Sequence, residues 1–481
     1  MSRILDVSLI GLVWVVARVP LLVYRYPPQV QFDSFSHRPF WIAVFNPHHP
    51  PLYGTFLALV PPVAVIVLQH LMVYVSAVCL YEIVRRSANR FGGLVSAAFV
   101  VTYGDFVLYG HTFMSETSFN FFLALHLLTL WYAIERKSPA WYFLSGLCIG
   151  TGALTRASLQ YQAVLVAAVL LPFSARPLRR LKAYGRSMAA LIGGFLVICL
   201  PWVAATWLVY GEWVISSGLP KVMMYRLLWD ESAPLAHVRA ADPATVEIRD
   251  YLVSVGKNDD IIYRKAYDHI RENILHIKVP HTLGEKICSL LGVSSWGNRQ
   301  VDPYVFGLWR AYVATYPLAY LRFSLRELFT VLGMNNSYSH AEEFSRRVTS
   351  AHLDPRFRPV RSAWSVSDTD LEALDRIYYR TAGLMVSPPL VCLILALGLI
   401  DLLAAMGPGR VFRACVYVTM AYVTVPQFLV SIGILRYRYP FDLLYALVAG
   451  TVLERVWSSA RSLRRTSSTS SPVRGPWPCA A

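Results

Sequence analysis

The chain has 481 residues, of which 55% are hydrophobic and 15% are charged, and its mean hydropathy is +0.43. This composition is far more apolar than that of an ordinary soluble domain and indicates an integral membrane protein. The formal net charge of +16 does not by itself indicate nucleic-acid binding, because in a membrane protein the positions of Lys and Arg carry the information.

The first apolar segment, Ile4 to Val23, has the length that a bilayer-spanning helix needs, and no small-residue cleavage site follows it. We therefore expect a retained anchor. Pro61 and Pro62 interrupt the next segment, which predicts an interfacial helix before them and a span after them. With the first segment, the later apolar segments predict about ten transmembrane helices: 53–84, 91–103, 115–134, 141–155, 159–173, 188–209, 382–405, 412–432 and 440–457. The pair 141–155 and 159–173 is also compatible with a broken or re-entrant hairpin.

Basic loops alternate with polar loops along the chain. The basic loops are RRSANR (85–90), ERKS (135–138), ARPLRRLKAYGR (175–186), GPGRVFR (407–413) and RSLRR (461–465). The positive-inside rule assigns this side to the cytoplasm, so both termini are expected there and the polar loops on the outer face.

The predicted fold is an all-α polytopic membrane protein in four parts. Residues 1–210 form an N-terminal transmembrane core with the first two external loops, and 211–380 form an extracytoplasmic helical cap. Residues 381–457 form the C-terminal transmembrane helices, and the Ser/Thr-rich tail 458–481 is expected to be disordered.

Helix signals, not strand alternation, characterise the predicted cap. Asp242 and Pro243 form an N-cap and a first-turn proline before ATVEIRDYLV. The stretch LAYLRFSLRELFTVL, 318–332, mixes arginines with a wide apolar face, so we expect it to lie along the outer membrane surface or to dip between spans.

The opening external loop carries the first candidate site residues. Asp33 is either a turn-forming residue or a functional carboxylate. The run PHHPPLY, Pro47 to Tyr53, stiffens this loop, so that its side chains can be presented inward. The candidate substrate-binding residues here are His37, His48, His49 and Tyr53. Asp33 and His37 are compatible with a divalent cation, but two ligands do not indicate one, and no metal site or other cofactor is predicted.

The second external loop adds Glu116, Asp105 and His111. Ser115 as an N-cap and Glu116 as a first-turn acid would explain the carboxylate without any function, since the helix dipole favours it by about 0.3–1 kcal/mol. Equally, Glu116 lies at the outer rim beside Asp105 and His111, where a partly desolvated carboxylate is suited to catalysis. Both explanations stay open at this point.

Three arginines are expected on the outer side: Arg18 near the end of the first span, and Arg436 and Arg438 before the last one. Arginines at span ends usually snorkel to the interface. A cluster of guanidinium groups is also a phosphate clamp, because its fork matches two phosphate oxygens. Together with the external acids, these residues indicate an enzyme acting on a lipid phosphate.

Four stretches carry a family resemblance: VVARVPLL with QFDSFSH and HPPLY; FMSETSFNFFLAL; GLCIGTGALTRASL; and RYRYPFDLLYALVAG. Over 4–173 and 433–455 the chain resembles the GT-C membrane glycosyltransferases, in particular the branch of protein O-mannosyltransferases and lipid A aminoarabinose transferases. Ser34 stands where family members commonly carry a second acid, and Asp442 also departs from the pattern, which favours a looser bacterial relative.

The resemblance implies sugar transfer from a polyprenyl-phosphate donor to a hydroxyl of an envelope lipid, glycan or protein, with inversion. Asp33 would be the general base, and Glu116 would orient the sugar or the acceptor. Arg436 or Arg438, with Arg18, would stabilise the departing phosphate. The implied partners are the donor, the acceptor and the lipid bilayer, without nucleic acid. The implied location is the inner (cytoplasmic) membrane with an extracytoplasmic active site.

Two other functions are weighed against this one. A lipid-linked glycan ligase or polymerase would rely on basic residues of the long external segment, where Arg239, His237, His281 and Arg310 are candidates. A lipid or solute transporter would show mid-bilayer charges or broken helices in matching halves, and neither is clear in the sequence.

Overall fold

The computed structural model is helical throughout the part of the chain that it describes, and no strand occurs there. The described residues are 2–23, 37, 39–45, 47, 49–171, 177–229, 234–239, 242–256, 266–276, 286–287, 290, 301–331, 373, 377–378, 387–404, 407–430 and 439–469. The prediction of an all-α protein is confirmed for these residues.

The N-terminal helices are α1 Ser2–Val16, α2 Val19–Val23, α3 Phe40–Ala43, α4 Pro51–Leu59, α5 Pro62–Ser87, α6 Arg90–Thr102 and α7 Gly104–Gly110. The central helices are α8 Ser115–Arg136, α9 Pro139–Thr155, α10 Gln162–Leu170 and α11 Pro177–Tyr210. The cap region contains α12 Leu219–Trp229, α13 Pro243–Val255, α14 Ala266–His269, α15 Asp302–Thr315 and α16 Pro317–Val331. The chain ends with α17 Pro388–Ala404, α18 Gly407–Val430 and α19 Tyr439–Thr469.

Four of the described helices are long and apolar enough to cross a membrane: Arg3–Val23, Pro62–Ser87, Ser115–Arg136 and Tyr184–Val209. A fifth span results if α6 and α7, which are bent by 51° relative to each other, form one broken span. Membrane-protein character is thereby confirmed, whereas the count of about ten spans stays a prediction.

Prolines set two of the helix boundaries that the sequence predicted. Helix α4 ends at Leu59, and α5 begins at Pro62, so the apolar run 53–84 is divided at Pro61 and Pro62 as expected. Of the ambiguous pair, α9 has 17 residues and α10 only 9, so α10 by itself is too short to span a bilayer.

Helix α8 lies at the centre of the bundle. Within its apolar window 72% of the residues are buried, against 22% for Arg3–Val23 and 28% for Tyr184–Val209. Helices α5, α9, α18 and α19 contact α8, whereas the first helix and α11 expose leucines such as Leu12 and Leu208 at the periphery. In a membrane protein this is the expected arrangement, because the outer helices have lipid as their solvent.

Small residues allow two close helix contacts. A Cβ on Gly146 of α9 would collide with the Leu191 carbonyl of α11, and one on Gly450 of α19 would collide with Ser96 of α6. The Ser96 hydroxyl donates a hydrogen bond of 2.7 Å to the Ala446 carbonyl. Such contacts hold apolar helices together where the hydrophobic effect between them is weak.

The helices from α12 to α16 share a hydrophobic core that is separate from the bundle core. Asp242 caps α13 as predicted, since its carboxylate accepts a hydrogen bond of 2.9 Å from the Thr245 amide. The tail differs from expectation, because α19 continues to Thr469 and residues 458–469 are helical rather than disordered. No proline interrupts that stretch, and the first one beyond it is Pro472.

Candidate functional site

The segments with predicted site residues meet at one end of the helical bundle. Arg18 lies in the turn after α1, and His111 follows α7. Glu116 lies in the first turn of α8, and Tyr53 in the first turn of α4. Shared contacts with α5 bring these segments together, because Arg18 and His111 both contact His70, and Tyr53 and the Thr112 carbonyl both contact Gln69.

Glu116 is fully buried and forms an ion pair with Arg156, whose Nη1 lies 2.6 Å from Glu116 Oε1. Arg156 comes directly after the last residue of α9. The alternative role of Ser115 as an N-cap is wrong, because α8 begins at Ser115 and the residue before it, Met114, has no capping side chain. The pair presents acceptor oxygens beside a planar donor, a combination that suits polar ligands rich in hydroxyl groups.

Tyr53 is buried and joins α4 to α5. Its hydroxyl donates a hydrogen bond of 2.7 Å to Gln69 Oε1. Burial, and secondly the negative charge of Glu116, raise the pKa of Tyr53 well above the usual range of tyrosine. Tyr53 is therefore a neutral hydrogen-bond donor in the electrostatic field of Glu116.

Gln69 carries this connection on to the loop after α7. Its Nε2 donates to three backbone carbonyls, and the shortest of these bonds, 2.6 Å, is to Thr112. The other two acceptors are Tyr109 and Gly110. The side chain of Gln69 thus holds the loop that precedes Glu116 in a fixed position relative to Tyr53.

The end of the opening loop packs against Tyr53. The ring of His37 lies 4.9 Å from that of Tyr53, edge-on, and 4.9 Å from that of His49. The Phe40 amide donates to Thr55 Oγ1 at 2.9 Å, which fixes the returning chain against α4. Of the candidate residues of this loop, His37 therefore contacts both His49 and Tyr53.

Arg18 is turned into the protein. Its Nη1 donates to the Val101 carbonyl at 2.5 Å and to the Trp14 carbonyl at 3.2 Å, and its Nε lies 3.4 Å from His70 Nδ1. The alternative that Arg18 snorkels to the interface is therefore wrong, because backbone carbonyls and an imidazole solvate its charge inside the bundle.

His111 belongs to the same group of side chains, with its Nδ1 3.1 Å from His70 Nε2. Gly110 permits this approach, since a Cβ there would lie 3.0 Å from the His70 ring. Asp105 is fully buried in the first turn of α7, where the helix dipole favours a negative charge.

Several predicted residues lie outside the described part of the chain: Asp33, His48, Arg436, Arg438 and, for the ligase alternative, His281. Their roles stay predictions. The other ligase candidates, His237, Arg239 and Arg310, are exposed on the cap. Among the described residues, no group of three or more His, Cys, Asp or Glu side chains is arranged to hold a metal ion.

Sequence reasoning missed Gln69, His70 and Arg156 as members of this group. A signal for the first two existed, since Gln-His is a polar pair inside the otherwise apolar stretch 62–80, and polar side chains in a span are functional candidates by default. Arg156 stands at the end of a glycine-rich span, but no local pattern identifies Glu116 as its partner.

Residues 48–207 match the family model described as dolichyl-phosphate-mannose-protein mannosyltransferase. This range contains Tyr53, Gln69, Glu116 and Arg156. Over this range the match confirms the resemblance to the GT-C mannosyltransferases.

Three solved structures with similarity to the chain are of oligosaccharyltransferase from Archaeoglobus fulgidus. The apo form has 12% identity and a TM-score of 0.46, and the alignment covers 98% of this chain and 53% of that one. The form tethered to an acceptor peptide has 10% identity and a TM-score of 0.42, with coverages of 96% and 50%. The complex of AglB with an inhibitory peptide and a dolichol-phosphate has 11% identity and a TM-score of 0.38, with coverages of 98% and 52%.

The chain thus spans about half the length of these archaeal proteins. No curated protein sequence matches it.

Proposed function

We propose that this protein transfers a sugar from a polyprenyl-phosphate donor to a hydroxyl of a cell-envelope acceptor, with inversion at the anomeric carbon. The observation that carries the proposal is the position of Tyr53. It is hydrogen-bonded to Gln69, lies in the field of the Glu116–Arg156 pair and contacts the end of the loop that contains Asp33. These residues, apart from the loop, fall within the range that matches the mannosyltransferase model.

Chain connectivity supports a shared site for the residues outside the described part. Asp33 precedes His37 by four residues, a length of chain that spans at most about 14 Å. His37 itself is in contact with Tyr53. Arg438 directly precedes Tyr439, the first residue of α19, and the N-terminal turns of α19 are buried in the bundle.

In the proposed reaction Asp33 removes the proton of the acceptor hydroxyl as its oxygen attacks the anomeric carbon. The bond from that carbon to the phosphate oxygen breaks, and the polyprenyl phosphate leaves with the electron pair. Arg436 and Arg438 stabilise the charge that develops on the phosphate, and Arg18 adds positive charge at the same end of the bundle.

Glu116 and Arg156 orient the sugar through its hydroxyl groups in this proposal. A carboxylate accepts hydrogen bonds and a guanidinium donates them, so the pair can hold two neighbouring hydroxyls in a fixed orientation. Tyr53, His37 and His49 line the acceptor side next to it. Correct orientation of this kind accounts for a large part of the acceleration in bimolecular transfers.

We further propose that this site is extracytoplasmic, in the inner membrane, with both termini in the cytoplasm. Support comes from the opposite end of the bundle, where Arg3, Arg85, Arg86 and Arg90 lie on or between neighbouring helices. An accumulation of arginine at span ends is typical of the cytoplasmic side.

The test uses the full-length protein reconstituted in lipid, a panel of polyprenyl-phosphate sugars and an envelope extract as acceptor. Asp33→Asn is compared with Asp250→Asn, a control at an exposed aspartate of the cap. We expect the wild type and the control to consume one donor, and Asp33→Asn to be slower by about 100-fold or more. Equal rates for both variants, or no use of any donor by the wild type, would contradict the proposal.

A further inference from the structure

Helix α16, Pro317–Val331, exposes four of its large apolar side chains. Leu318, Leu321, Leu325 and Phe329 are between 41% and 80% exposed. Their spacings of three and four residues place them on one face of the helix. We call these four residues the leucine stripe.

The opposite face of α16 is buried and partly polar. Ser324 accepts a hydrogen bond of 2.6 Å from Arg226 of α12, and both side chains are fully buried. The Arg226 guanidinium lies 4.1 Å from the centre of the Phe323 ring. In a helix at a water-exposed surface the outer face is mainly polar, so four large apolar side chains on the exposed face of α16 need another environment.

Two exposed arginines, Arg322 and Arg326, border the leucine stripe on one side. Arg326 lies over the Phe323 ring at 4.5 Å and 3.6 Å from Glu327, so its aliphatic part stays close to the helix. Exposed leucines beside arginines are typical of helices that lie at the boundary between lipid headgroups and acyl chains.

A contact with α18 fixes the position of α16 along the long axis of the bundle. The Tyr320 hydroxyl donates a hydrogen bond to the carbonyl of Leu429, which is close to the C-terminal end of α18. Leu429 and Val425 are exposed on α18. Helix α16 is therefore attached to the end of α18, a helix of the bundle that exposes apolar side chains there.

We propose that α16 lies in the plane of the membrane, with the leucine stripe among the acyl chains and with Arg322 and Arg326 bound to the phosphates of anionic phospholipids. The arginines match the charge of such headgroups. The attachment of α16 to the end of α18, where Val425 and Leu429 are exposed, gives the reason for choosing a bilayer over a second protein as the occupant. This inference is independent of the transferase activity and would hold for any function of the chain.

Photo-crosslinking of the full-length protein in nanodiscs of phosphatidylcholine and phosphatidylglycerol tests it. Benzoylphenylalanine replaces Leu321 in one variant and Val253 in the control, since Val253 is also an exposed apolar residue, 43% accessible, but lies on α13. We expect phospholipid adducts at position 321 and only background labelling at position 253. Adducts of position 321 with peptides, no lipid adducts there, or equal lipid labelling at both positions would overturn the proposal.

The role of the arginines is tested by the composition of the adducts. In the Leu321 photoprobe variant, the ratio of phosphatidylglycerol to phosphatidylcholine adducts should exceed the bulk ratio. Each arginine near an anionic surface contributes about 1 kcal/mol, a factor of about five, so R322Q with R326Q should lower the excess by up to about 25-fold. The control R310Q changes an exposed arginine of α15 and should leave the ratio unchanged. Two results would contradict the contacts between the arginines and lipid phosphates. One is an adduct ratio equal to the bulk lipid ratio when both arginines are present, and the other is an adduct ratio that the double substitution leaves unchanged.

Discussion

Buried charged side chains have different kinds of partners at the two ends of the helical bundle. At the end with the chain's N-terminus, each buried acid has several partners, as Glu82 does with Arg3, Arg85 and Arg86 at 3.5, 3.0 and 2.5 Å. Two other buried acids there are Asp6, which contacts Arg90 and Tyr81, and Asp401, which contacts Arg413 and Arg455. Such redundancy is typical of a structural ion-pair network.

At the opposite end, the buried Glu116 forms an ion pair with Arg156, and a chain of neutral hydrogen bonds leads from Tyr53 through Gln69 to the Thr112 carbonyl. A buried ion pair contributes little net stability by itself, because the cost of removing its charges from water offsets their attraction. The ion pairs at the first end join neighbouring helices, whereas the pair at the second end lies among the residues that we propose to bind the sugar.

Among substitutions of residues that the structure describes, the largest effect is expected from Glu116→Gln. Loss of one charge and one acceptor from the sugar-orienting pair should lower kcat/KM for sugar transfer by about 100-fold. The control is Glu135→Gln, at the other end of the same helix, where the carboxylate is half-exposed and lies 3.5 Å from Arg86. It should retain wild-type kinetics, and a comparable loss in both variants would remove the functional distinction between the two ends.

Arg156→Ala should lower the free energy of unfolding by about 3–5 kcal/mol, because it leaves the buried charge of Glu116 without its guanidinium. Adding Glu116→Gln to this variant should recover part of the stability but none of the transfer activity. Thermal unfolding in detergent and the donor-consumption assay measure the two quantities. Recovery of activity along with stability would mean that the pair is structural.

Glu82→Gln should cost about 1–3 kcal/mol of stability and leave kcat/KM unchanged. Its three arginine partners are all partly exposed and remain solvated, so no charge becomes isolated when the carboxylate is lost. The same unfolding and transfer assays apply. A loss of transfer activity in protein that is still folded would place functional chemistry at this end too.

The smallest effect is expected from Tyr53→Phe, which removes one neutral hydrogen bond while keeping the ring that packs on His37. The expected loss is about 1–2 kcal/mol of stability, because Gln69 Oε1 loses its donor. Gln69→Leu should cost more, since three carbonyl contacts go with it. Equal losses of stability in the two variants would show that the hydrogen bonds from Gln69 to the three backbone carbonyls contribute nothing to stability.

Local patterns predicted the features that local forces decide. The Asp242 cap, the helix break at Pro61 and Pro62, and the position of Glu116 in the first turn of its helix follow from residues within a few positions of each other. The pairing of Glu116 with Arg156 and of Tyr53 with Gln69 depends on how helices pack, and periodicity contains no information about that. The alternative that Arg18 snorkels to the interface was wrong for the same reason. The Val101 carbonyl, which accepts a hydrogen bond from Arg18, belongs to another helix and could not be assigned from the sequence.

The most direct test of the account is the location of the bound donor. A photoreactive polyprenyl-phosphate sugar is crosslinked to the wild-type protein in nanodiscs, with excess unlabelled donor as competitor, and the adducts are mapped by mass spectrometry. We predict competed adducts in peptides that contain Tyr53, Glu116 or Arg156. Competed adducts confined to peptides that contain Asp6, Glu82 or Asp401 would contradict the account, because they would place the donor at the end where the charges are paired for structure.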